Sequence, residues 1–222
     1  MVHHRRTCCS DVGSFHLAFV ICSLLNPLLT WGTALADEPD YARRTFKAGT
    51  VEAGISAGFW QAVEAVNHPQ SLDRSAVFVL PRIGVVANDE FKAGLLSGNV
   101  EFAVEPFIAR FIKPFAAEAI GGTALVTYNF VSFGRWVPFW DAGAGLLWTN
   151  LAPRIPEQST TVNFVLETGP GVHFFITSSL TIRTGVRFYH ISNAGTGDRN
   201  TGLNGVLGTV GLSWLFASPS GF

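Results

Sequence analysis

Eight segments of this chain alternate apolar and polar residues with a period of two, and that pattern constrains the fold more than any other feature. They run over about 45–60, 74–87, 98–112, 115–130, 136–149, 160–176, 179–192 and 203–216. Clusters of Gly, Pro, Asn and Ser separate them. Period two is the signature of strands whose successive side chains point to opposite faces. No apolar run after Ala36 reaches the ~18–20 residues that a spanning helix needs, and convincing helical periodicity is missing. The expectation is an all-β fold: an eight-stranded antiparallel barrel.

Alternation alone does not say which face is wet. In 160–176, Val162, Phe164, Leu166, Val172 and Phe174 share one face, against Asn163, Glu167 and His173. In 98–112, Val100, Phe102, Val104 and Ile108 oppose Glu101 and Glu105. In 179–192, Ile182, Val186 and Phe188 oppose Arg183, Arg187 and Tyr189. A soluble barrel hides the apolar face, whereas a transmembrane β-barrel turns it to lipid.

Three features favour the membrane. The strands are long. Inward charges of both signs can pair, Glu52, Glu101, Glu105, Asp141 and Glu167 with Arg82, Arg183 and Arg187. Trp60, Trp136, Trp148 and Trp214 fall near strand ends, where interfacial aromatic girdles sit. The composition agrees, with 48% hydrophobic and only 14% charged residues. A formal net charge of −1 suggests no nucleic-acid partner.

The first 36 residues read as a secretory signal peptide to be removed. A basic start at His3-His4-Arg5-Arg6 precedes an apolar stretch from Phe15 to Leu29, and Ala34-Leu35-Ala36 fits a small-residue cleavage site. Residues 37–222 would then form a single outer-membrane barrel domain of a Gram-negative cell. Cys8, Cys9 and Cys22 all lie in the leader, so thiol chemistry is not expected of the mature chain. His68, His173 and His190 lack metal-ligand spacing, and neither a metal nor a cofactor is expected.

One stretch carries chemistry: "RFYHISNAGTGDRNTGLNG", from Arg187 to Gly205. His190 and Ser192 continue the outward row Ile182, Thr184, Val186, Phe188, because residues i and i+2 face the same way. A base within reach of a hydroxyl is the elementary unit of nucleophilic catalysis. Asn204 is in phase with the outward row Val206, Val210, Leu212, Trp214 and Phe216 of the last strand. With the amino end in the periplasm, odd strands rise and the seventh ends near the outer-leaflet interface.

His190-Ile191-Ser192-Asn193-Ala194-Gly195 followed by Asn200-Thr201-Gly202-Leu203-Asn204 resembles the closing signature of the PagL-like lipid A 3-O-deacylases. "LPRIGVV", "VEFAVEPFIARF" and "DAGAGLLWTN" resemble other strands of that family. The resemblance implies an outer-membrane hydrolase that takes lipid A laterally from the leaflet and cleaves its 3-O-linked acyl ester. It implies Ser192 as nucleophile and His190 as general base. Backbone amides near Ser192 and Asn193, with the Asn200 side chain, would form the oxyanion hole. In one respect the chain departs from the better-known family members, which carry Glu where this chain has Asn204. Asn204 is read as the residue that orients His190, and Asp198 as an alternative acid. The competing reading is a non-enzymatic small outer-membrane barrel, and a third is a lipocalin-like soluble barrel. Assembly as a homodimer stays open.

Overall fold

The computed structural model describes residues 40–64 and 71–217. The leader read over residues 1–36 lies outside the described residues, as does His68. A short helix, α1 (Tyr41–Thr45), precedes eight strands: β1 (Val51–Ala62), β2 (Ser75–Val86), β3 (Gly98–Lys113), β4 (Ala117–Phe130), β5 (Trp136–Thr149), β6 (Val162–Phe175), β7 (Leu180–Ser192) and β8 (Leu203–Phe216). Each strand pairs antiparallel with its sequence neighbour, and β8 closes on β1. The result is the expected closed eight-stranded barrel, with no unpaired strand edge.

The first strand begins later than the alternation suggests. Residues 41–45 are helical, with Asp40 accepting a bond from the Arg43 N–H at the helix start (3.1 Å). The helix fills the end of the barrel where β1 begins. Ala42 and Phe46 are buried there against Val86, Val137, Phe175 and Leu215. Gly49, at φ 82°, turns the chain into the sheet.

The interior has three layers. Apolar clusters close both ends, and a charged waist lies between. In the waist Arg82 bonds Glu52 (2.8 Å), Glu101 (3.0 Å) and Thr127 (2.8 Å). Thr127 passes the network to Asp141 (2.7 Å), which holds Arg183 at 2.8 Å. Arg187 lies 2.7 Å from Glu105 and 2.9 Å from Glu167. All eight charged residues expected to point inward do so and are buried. Unpaired, each would be expelled by the cost of desolvation; paired and hydrogen-bonded, they fill the barrel.

Removing one member should therefore do more harm than removing a surface ion pair. Arg82→Met leaves Glu101 without its guanidinium and Glu52 with only Arg183, 3.8 Å away. The expected cost is about 3–5 kcal/mol. A urea titration of the detergent-refolded variant, followed by the loss of the compact species on gels, checks this. A midpoint equal to that of the wild type would contradict it.

The outer wall is apolar. Ile55, Ile83, Ile108, Leu146, Leu166 and Val210 are each half or more exposed. A contiguous surface of this kind suits hydrocarbon rather than water. An ion-paired interior and a greasy exterior also remove the lipocalin-like reading, which needs the opposite. Trp136, Trp148 and Trp214 lie on this wall near strand ends. Trp60 does not, although it was expected in the girdle; it is 1% exposed and packs inward with Phe111. The reason is phase. Trp60 lies eight residues after inward-facing Glu52, an even number, so it shares that face. Gly205 on β8 makes the room, since a Cβ there would run into the Trp60 indole.

Candidate active site on the barrel wall

The β1–β2, β3–β4, β5–β6 and β7–β8 connections lie at one end of the barrel. At this end β7 delivers His190 and Ser192 to the outer wall, and β8 starts back with Asn204. The sheet register sets His190 directly opposite Asn204 and Ser192 opposite Phe164 of β6. His190 and Ser192 are half-buried and Asn204 is 3% exposed.

His190 Nδ1 lies 2.6 Å from Asn204 Oδ1. An amide oxygen only accepts, so Nδ1 carries the proton and donates it. That fixes the tautomer and leaves the Nε2 lone pair free to act as a base. Ser192 stands one pleat further along the same row, about 6.6 Å away along the strand. Among the described residues no hydrogen bond joins it to His190.

The expected oxyanion residues are brought together, but by bonding each other. The Asn193 backbone N–H donates to Asn200 Oδ1 (3.1 Å). The Asn193 side chain is fully buried. Its Oδ1 accepts from Gly195 N–H (3.0 Å), and its Nδ2 donates to the Arg199 carbonyl (2.9 Å). Its carbonyl accepts from Thr196 N–H (3.0 Å), closing a turn with Ala194 at φ 52° and Gly195 at φ 77°. Two positive φ values at the central residues define a type I′ turn. Asn193 is thus the organiser of the turn after Ser192. Asp198 is exposed and, among the described residues, makes no bond to His190; Asn204 occupies the partner's place.

Residues outside the expected set complete the site. Gly202, at φ 78°, packs on the imidazole: a Cβ there would sit 2.8 Å from His190 Cε1. Only glycine meets both demands. Gly202→Ala should lower turnover about tenfold by tilting the ring, given how steeply rates fall with misplacement. An initial-rate assay on a variant shown to fold checks this, and an unchanged rate would refute the assigned role.

Behind the site lies the β5–β6 loop. Glu157 binds Arg74 through both carboxylate oxygens (2.9 Å each) and accepts from Ser71 N–H (3.1 Å). Burial alone would raise its pKa, but these donors outweigh it and hold the carboxyl below the usual range. His173 faces the interior, with Nδ1 3.0 Å from Thr181 Oγ1.

Residues 91–213, from just before β3 into β8, match the sequence pattern of the lipid A 3-O-deacylase (PagL) family. The chain belongs to the PagL family. The match contains every site residue named above from Glu157 to Asn204. This PagL-family barrel is a protein of the Gram-negative outer membrane. A search of curated proteins finds no match.

Several solved barrels are similar to it. The outer membrane enzyme PagL is 17% identical over 76% of this chain and 99% of that one, with a TM-score of 0.45. The N-terminal β-barrel domain of Pseudomonas aeruginosa OprF is 14% identical over 76% and 98%, with a TM-score of 0.46. Neisserial surface protein A is 17% identical over 76% and 98%, with a TM-score of 0.47. Nothing in these findings supports a homodimer.

Proposed function

We propose that this PagL-family member hydrolyses the 3-O-linked acyl ester of lipid A, using Ser192 as nucleophile and His190 as general base. The observation that carries the reading is the 2.6 Å bond from His190 to Asn204 on the apolar wall, one pleat from Ser192. A polar group facing lipid is costly unless it has work to do there.

In this reading the leader is removed and residues 37–222 span the outer membrane, with the amino end in the periplasm. The site then lies at the outer-leaflet interface, where lipid A is held. The ester reaches Ser192 laterally, without leaving the bilayer. His190 Nε2 takes the Ser192 proton as Oγ attacks the carbonyl. The Asn193 N–H leaves Asn200 Oδ1 for the developing oxyanion, because a charged acceptor makes roughly twice as strong a bond as a neutral one. Asn200, released, turns its Nδ2 to the same charge. His190 then protonates the departing sugar oxygen, and the acyl-enzyme is hydrolysed by a water activated the same way.

Mass spectrometry of lipid A from cells expressing the protein tests the proposal. The expected product has lost one 3-hydroxyacyl chain, from position 3 of the glucosamine. Unaltered lipid A beside abundant folded barrel would favour the non-enzymatic alternative.

A further inference from the structure

We infer that Gln158 is the positioning residue of this site, holding the His190–Ser192 backbone and the Asn200 limb in register from behind. The inference rests on the Ser192 hydrolase reading. Gln158 is fully buried, and its Nε2 donates to the Ile191 carbonyl at 2.9 Å. Ile191 is the residue between the base and the nucleophile. The Gln158 main chain also bridges antiparallel to Asn200. Its carbonyl accepts from the Arg199 guanidinium at 3.0 Å, and the preceding Glu157 carbonyl accepts from Thr201 N–H at 2.8 Å. One residue therefore grips both limbs of the loop that carries the chemistry.

The residue type is informative. Leu151, Ile155, Tyr189, Ile191 and Leu203 form the apolar cap of the barrel at this end. A purely space-filling residue beside them would be cheaper as Met or Leu, because a buried amide must recover its lost hydration. Gln158 recovers only part, since its Oε1 has no hydrogen-bond partner among the described residues. A polar side chain placed at that cost, with its amide nitrogen donating to the catalytic strand, fits a part in positioning better than a part in filling.

The loop is itself tied down from the far side. Arg74 and Ser71 of the β1–β2 connection clamp the Glu157 carboxylate. Gln158 thus transmits the rigidity of the barrel rim to His190 and Ser192. Errors of a fraction of an ångström there are costly to turnover.

The test uses the full mature chain refolded in detergent, comparing wild type with Gln158→Met and Gln158→Glu on lipid A in mixed micelles. Q158M keeps the volume and deletes the donor. Its kcat should fall about tenfold at unchanged KM, with the compact heat-modifiable species retained. In Q158E the carboxylate cannot donate to Ile191, but its protonated form can. Activity of Q158E relative to Q158M should therefore rise as pH is lowered. A wild-type kcat in Q158M, or a Q158E to Q158M ratio independent of pH, would overturn the inference. Should Q158M fail to fold, the pH response of Q158E against wild type decides alone.

Hydrogen exchange separates this inference from the reading beneath it. Amides at Ser192 and Asn193 should exchange faster in Q158M whether or not the wild type turns over lipid A. An inactive wild type would count against the hydrolase, and unaltered exchange against Gln158.

Discussion

Ser192→Ala is expected to abolish lipid A deacylation, with a fall in rate of about a thousandfold or more, and to leave the barrel folded. In the proposed mechanism the variant lacks the atom that would form the covalent intermediate, a loss that binding and oxyanion contacts would recover only in small part. The fold survives because Ser192 sits half-buried on the outer wall, outside the ion-paired waist and both apolar caps. Substitutions at such positions usually change stability by no more than about 0.5 kcal/mol. Wild type and variant should migrate alike on unheated gels, and only the wild type should shed a 3-hydroxyacyl chain. Equal deacylation by both would remove Ser192 from the mechanism.

Asn204→Ala should lower turnover about a hundredfold, whereas Asn204→Glu should keep or raise it. The alanine variant deletes the acceptor 2.6 Å from His190 Nδ1. The imidazole then loses both its orientation and the preference for the tautomer that leaves Nε2 free. The glutamate variant would present an oxygen to the same nitrogen and add a negative charge beside the imidazolium that the proposed reaction forms. Family members are expected to carry that acid here. Initial rates for the three proteins in mixed micelles decide the matter. Undiminished activity in Asn204→Ala would show that His190 is oriented by another group. Activity in Asn204→Glu alone, with an inert wild type, would mark a barrel that has lost its acid.

Barrel architecture was legible because it depends on local parity. A strand of ten or more residues with one greasy row announces itself, and the expected segments lie within a few residues of β2 to β8. Parity also brought Glu52, Glu101, Glu105, Asp141 and Glu167 to the same side as Arg82, Arg183 and Arg187. It put His190, Ser192 and Asn204 on the opposite, outward rows. Trp60 shows the rule's strength from the other direction: counting from Glu52 places it inside, whatever its proximity to a strand end suggests. The helix at Tyr41–Thr45 leaves no periodic signal in the sequence because one turn is too short to show one, and what stabilises it is the barrel mouth that it fills.

Contacts between distant segments were beyond such reading. His190 meets Asn204 because the β7–β8 hairpin closes in one register rather than the next, which a count along either strand alone does not give. Asn193 was legible as a turn residue, but not as the hub that ties up Asn200. Gln158 and Arg74 carry no periodic signal at all. Their partners lie tens of residues away in sequence, and only the closed sheet brings three connections to one rim. Side-chain direction follows from the geometry of a single strand, whereas a hydrogen bond across loops needs the whole barrel to set its two ends 3 Å apart.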